Sequence, residues 1–103
     1  MYYRRKILLA LLELFDGQLT AKSLQKYLFL FTRKQTVKAF DFVPYRYGCF
    51  SFQANQDLST LQKFAYLEIT ENSRGRYLKL KETGNYLSLL DIFDRQALTE
   101  IKE

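Results

Sequence analysis

The sequence predicts an α+β domain, and three observations carry that prediction. Apolar residues recur at helical spacing over residues 3–15 and again over 21–34. Period-two alternation in Leu67-Glu68-Ile69-Thr70 and Arg76-Tyr77-Leu78-Lys79-Leu80, with Glu71 to Gly75 between, reads as a β-hairpin. A third helical pattern directly precedes that hairpin. Helix, helix, helix, hairpin is the element order of a winged helix-turn-helix, here with an aromatic extended insert between helices two and three and a further C-terminal helix.

Each element has its own signal. In the first helix Ile7, Leu8, Leu11, Leu12 and Phe15 form the inward stripe, and Asp16-Gly17 stops it. Leu19 is placed to supply a short strand that joins the hairpin. Thr20 is a good N-cap for the second helix, with Leu24, Tyr27, Leu28 and Phe31 inward. The run Leu28-Phe29-Leu30-Phe31 is apolar all round, so this helix is expected to be buried on more than one side. Phe40, Phe42 and Tyr45 suit a short extended segment, because Pro44 pushes Val43 out of helical space. Gly48 marks a turn. Ser51 caps a third helix over 52–66, with Leu58, Leu61 and either Phe64 or Ala65 inward. Thr83 caps a last helix from Gly84 to Ile101, with Leu87, Leu90, Phe93, Ala97 and Ile101 as its stripe.

The 103 residues fit one domain with a single modest core. Apolar content of 48% beside 26% charged residues is ordinary for a globular chain. Charge is uneven: residues 1–81 hold 14 Lys and Arg against 6 Asp and Glu, whereas 82–103 hold 2 against 5. A basic body of this kind suits a nucleic acid or an acidic partner, and equally a solubilising surface. The single cysteine, Cys49, excludes an internal disulfide and is expected to be a small buried apolar residue in a reducing compartment. The basic start, Met1 to Lys6, followed by Ile7 to Leu12 superficially resembles a signal peptide. Glu13 and Asp16 interrupt it and no small-residue cleavage site follows, so a core helix of a cytoplasmic protein is expected. No apolar run approaches the roughly 18–20 residues that span a bilayer.

The residue inventory argues against catalysis. There is no histidine, the commonest general base and metal ligand. One cysteine and scattered carboxylates give no zinc spacing, and neither a P-loop nor a GxGxxG is present. A non-enzymatic domain with no metal and no cofactor is expected.

Double-stranded DNA is the leading expected partner. The third helix of a winged helix enters the major groove, and its expected outer face holds Gln53, Asn55, Gln56, Ser59, Thr60 and Lys63. Gln and Asn can pair with adenine edges and Lys63 with a phosphate. Arg74 and Arg76 flank Gly75 at the hairpin tip, and Lys22 and Lys26 on the second helix, with Arg4 and Arg5, would add backbone contacts. Against this, Asp57 on the same helix would repel phosphate, and an exposed amide-rich face is also an ordinary solvated surface. The alternative is a protein-binding adaptor. Tyr45-Arg46-Tyr47 suits an anchor patch, or else core rings with Arg46 lying over them. The last helix is apolar almost all round between Tyr86 and Phe93, so Tyr86, Leu89 and Ile92 would meet a twin subunit, another partner or a further domain.

Three segments also carry a resemblance: Leu24-Gln25-Lys26-Tyr27-Leu28-Phe29-Leu30, Phe42-Val43-Pro44-Tyr45-Arg46-Tyr47-Gly48-Cys49-Phe50-Ser51 and Asp57-Leu58-Ser59-Thr60-Leu61. Together they resemble the YwgA-like group of bacterial domains, and more distantly the SocA-type (Panacea) antitoxin domains. The likeness covers about residues 20 to 80. It departs at Cys49, where those domains often have proline, and at Tyr27, where leucine is usual. It implies a winged-helix-like domain of bacterial cytoplasm, sometimes the N-terminal part of a longer chain. Its antitoxin relatives act by binding proteins, and Tyr45, Arg46, Tyr47 and Ser51 are the positions to carry over as a recognition surface.

Overall fold

The computed structural model describes residues 1–46 and 48–103. The first helix, α1 (Tyr3–Leu14), is the centre of the molecule. Every residue from Ile7 to Leu12 is buried, which follows from a run apolar on all sides of the helix. It ends where Asp16 and Gly17 both take positive φ, and the Gly17 amide donates back to the Leu12 carbonyl at 2.8 Å. This left-handed stop favours glycine because a side chain there is strained. It reverses the chain into β1 (Gln18–Thr20).

The Thr20 hydroxyl accepts from the Ser23 amide and starts α2 (Ala21–Lys34), with the expected bounds. Leu24, Leu28 and Phe31 are fully buried and Tyr27 is half-buried against Phe15, their rings stacked at 4.5 Å. After a loop come two short strands, β2 (Val43–Tyr45) and β3 (Gly48–Phe50), paired antiparallel. Ser51 then caps α3 (Phe52–Lys63) through the Ala54 amide. The second hairpin is β4 (Leu67–Asn72) with β5 (Gly75–Leu80), and β1 joins it by pairing with β5, in the order β1-β5-β4. Leu19 therefore does supply the added strand, opposite Leu78. A 3-10 turn, Tyr86–Leu89, leads to α4 (Ile92–Lys102). Among the described residues this gives a compact α+β fold with four α-helices and two small antiparallel sheets.

Polar groups orient the elements around α1. Asp57 of α3 is 3% exposed and receives Arg4 Nε at 2.9 Å, with Arg5 Nε at 3.7 Å. Both arginines are thus turned toward this carboxylate, with the Arg4 side chain still 42% exposed. Asp57 likewise lies off the outer face of α3, so its expected repulsion of phosphate does not arise there. Lys34 pairs with Glu100 and ties α2 to α4. The Tyr3 hydroxyl donates to the Asp94 carboxylate. Burial first, and then the adjacent Asp94, hold the Tyr3 phenol well above its ordinary pKa.

Three expectations are corrected. The third helix stops at Lys63, because Ala65 takes a left-handed φ of 65° and the Tyr66 amide donates to the Leu61 carbonyl. That turn delivers Leu67 into the core and leaves Phe64 (60% exposed) and Ala65 outward. The continuous last helix from Gly84 does not form. Glu13 accepts the Tyr86 and Leu87 amides at 2.9 and 3.1 Å, Asn85 is left-handed, Leu90 is extended and buried, and Asp91, not Thr83, caps α4. Leu98 faces the core, whereas Phe93 is 78% exposed. Finally, Cys49 is exposed, because its short strand lies on the outside of α2.

One contact joins α2 to the start of α3. The buried Gln25 side chain accepts from the Ser51 amide at 2.8 Å and donates to the Ser51 carbonyl at 3.1 Å. Gln25→Ala strands the Ser51 amide away from water, while the Ser51 carbonyl keeps the Asn55 amide at 3.2 Å. A loss of about 2 kcal/mol is expected, read as a lower urea midpoint, since an unsatisfied buried group costs roughly 1–3 kcal/mol. An unchanged midpoint would contradict the contact.

Candidate functional site

Gln25 and Ser51 hold α2 and the first turn of α3 side by side. The β2–β3 hairpin hangs across the gap. Between them lies a cleft of about 630 Å³, within the roughly 300–1,000 Å³ typical of ligand sites. Its apolar wall combines Phe29 of α2, Phe50 of β3 and Leu58 of α3. Phe29 is steadied from behind by Phe42, edge-on at 5.3 Å, and by the Arg33 guanidinium at 5.8 Å. Outside the wall, Tyr45, Phe50 and Phe52 form a cluster with ring centroids 4.8–5.8 Å apart. Tyr45 and Phe52 remain exposed despite that contact.

The rim is cationic. Lys22 and Lys26 stand one helical turn apart on α2, and Arg76 of β5 lines the same cleft. Arg76 Nη1 lies 3.5 Å from the Asn55 side-chain oxygen, which brings the second hairpin beside α3. Among the described residues, none of the side chains lining the cleft is acidic, and neither Lys26 nor Arg76 is in an ion pair. The cleft is thus apolar within and positive at its edge. No group of three or more His, Cys, Asp or Glu side chains able to hold a metal occurs among the described residues.

The residues expected to face nucleic acid divide into two groups. Lys22, Lys26, Asn55 and Arg76 come together in the cleft. Gln56 and Lys63 are exposed on α3 and Thr60 is half-buried there, its hydroxyl donating to the Gln56 carbonyl. Arg74 is exposed at the hairpin tip, its amide held by the Asn72 side chain. Gln53 is spent on the chain itself: it accepts from the Asp41 amide at 2.7 Å and donates to the Asp41 carboxylate.

The residues expected to meet a protein partner are likewise split. Tyr45 and Arg46 are exposed on the β2–β3 hairpin, with Tyr45 in the cleft; Tyr47 lies outside the described residues. Tyr86 is half-buried against the core, while Leu89 and Ile92 are exposed with Phe93 on the far side. Burial chiefly raises the Tyr86 phenol above its ordinary pKa. Ser51, carried over as a recognition position, is fully buried and acts as cap and clamp.

Phe29, Gln25, Cys49 and Leu58 are the site residues that sequence reasoning missed. The available signal was Gln25, a polar residue flanked by Leu24 and Leu28 on an inward stripe, which demands a buried partner. Compared with protein-family models, curated proteins and solved structures, the chain matches none. Among the described residues, no helix is long and apolar enough to cross a membrane.

The exposed Cys49 gives a direct check on this geometry. Native protein is expected to react with a disulfide reagent to one thiol per chain without denaturant. Labelling that requires urea would move Cys49, and the wall it belongs to, into the core.

Proposed function

We propose that the chain is a non-enzymatic protein-binding module on a winged helix-turn-helix frame, akin to the YwgA-like domains, and that it grips a partner segment in the cleft between α2, α3 and the β2–β3 hairpin. The observation that carries this reading is the pairing of an apolar wall with exposed aromatic rings and cations at one opening. Protein-binding hot spots favour buried pockets edged by tyrosine and arginine. The kinship in the segments around Gln25 and Ser51 supports it as well, since those two residues form the clamp that holds the cleft open.

A benzophenone maleimide on Cys49 tests the reading. Irradiated in extract of its own cells, the labelled domain is expected to give a discrete, protease-sensitive adduct. The adduct should vanish when the label sits instead on Ser88→Cys in a Cys49→Ser background. Adducts cleaved only by nuclease, or none above that control, would overturn it.

A second reading, duplex DNA binding through α3 and the β4–β5 hairpin, is favoured by the Arg76–Asn55 contact. That contact brings Arg76 to α3, the helix that also bears the exposed Gln56 and Lys63. Binding to a labelled duplex at ~50 mM salt is then expected, weakening steeply as salt rises because phosphate contacts release counterions. Arg74→Ala combined with Lys63→Ala should weaken it for every sequence tested. No anisotropy change at low salt would exclude this second reading.

A further inference from the structure

We infer that the segment gripped by the cleft is acidic and inserts one large apolar side chain between Phe29, Phe50 and Leu58. The inference rests on the protein-binding reading and names the chemistry of the partner.

Charge supplies the first argument. Lys22, Lys26 and Arg76 surround the opening, and among the described residues no carboxylate lines it. Lys22 lies in the first turn of α2, which has no acidic residue and where the helix dipole already favours an anion over a cation. Lys22 and Lys26 are like charges at i and i+4, an arrangement that disfavours the isolated helix. The charge left for an incoming anion is that of Lys26 and Arg76, which line the cleft outside the ion pairs. Asn55, the neutral partner of Arg76, leaves the guanidinium its full charge for a carboxylate.

The wall supplies the second. Phe29 and Phe50 are half-buried and Leu58 buried, so a phenylalanine or leucine side chain entering between them trades water for apolar contact on the wall side. A nucleobase would need donors and acceptors on the wall to read its edge. The Gln25 amide is the buried polar group there, and both its ends are already bonded to Ser51. Phosphates alone would satisfy the rim and leave the wall empty. The cleft is an open trough, with Tyr45, Cys49, Lys22 and Lys26 exposed along it. The tail of a fatty acid would remain partly wet there, whereas a peptide would cover the rim with its own backbone.

Cys49 serves as the reporter, because it lines the cleft and is the sole thiol. The probe is a capped peptide with one phenylalanine flanked on each side by glutamates. At ~10 times its dissociation constant it should slow alkylation of Cys49 by iodoacetamide about tenfold, as the free fraction falls. The same peptide with lysines for glutamates should give no protection. Replacing its phenylalanine with alanine should weaken binding by about tenfold or more, the worth of one buried ring. Lys26→Glu with Arg76→Glu, the first exposed and the second half-buried at the rim, should transfer protection to the lysine peptide.

Equal protection by both peptides, or none by the glutamate peptide, overturns the inference. So does protection by dodecanoate or by oligothymidylate where the glutamate peptide gives none. A protein adduct from the Cys49 photolabel combined with such a result would sink the acidic chemistry and leave the protein-binding reading standing. Absence of the adduct would remove that reading itself.

Discussion

The arrangement of this molecule turns on one buried amide. Gln25 satisfies both the N–H and the C=O of Ser51, 26 positions along the chain. A hydrophobic contact would hold α2 near α3 in any of several orientations, because it is non-directional. A two-point hydrogen bond fixes distance and rotation together. Ser51 is also the N-cap of α3, so the same residue sets where that helix begins. The β2–β3 hairpin ends at this anchor and cannot collapse onto α2. Without the amide, Phe29 and Phe50 would be free to close on each other, and the space between them would fill.

Around α1 the same logic recurs with charge. Its apolar residues supply an unbroken run of the core, Ile7 to Leu12, but say little about direction. Direction comes from polar groups at its ends: Arg4 and Arg5 on Asp57, Glu13 on the Tyr86 and Leu87 amides, Tyr3 on Asp94. Each reaches a different later element. Because folding raises the Tyr3 pKa, its contribution is fully present below the ordinary phenol value of about 10 and is lost as pH climbs from there through the folded-state value.

Elements specified by local rules were legible in the sequence. Thr20 and Ser51 are caps that act on residues three positions away, and the alternation of Leu67 to Leu80 matches the observed hairpin register. The misreadings of the last helix and of the cleft involve a distant partner, and that of the third helix a local left-handed turn. Residues 84–91 have helical spacing, but a carboxylate on α1 takes two of the amides a helix would need. Ala65 adopts the left-handed conformation without being glycine, because the descent into β4 requires it. The polar residues of the cleft, Lys22, Lys26, Asn55 and Arg76, are each legible singly. Their meeting in one opening with Phe29 and Leu58 depends on the Gln25 clamp, which no window of neighbouring residues reveals.

The distribution of charge bears on why the proposed partner is assigned to this opening. Four cations are balanced internally: Arg4 and Arg5 face Asp57, Lys34 faces Glu100, and Lys81 lies near Glu68. Lys26 and Arg76 stand outside those pairs on the two sides of the cleft. A low-dielectric wall between them strengthens the field they set up across the gap. In the proposed reading, charge at the edge draws and orients an anionic chain from a distance, and the apolar wall retains it once it has arrived. Neither feature alone distinguishes partners, since many surfaces are basic and many grooves are greasy. Their conjunction does, because a ligand must satisfy both within a few ångströms, and the spacing is set by a single hydrogen-bonded amide.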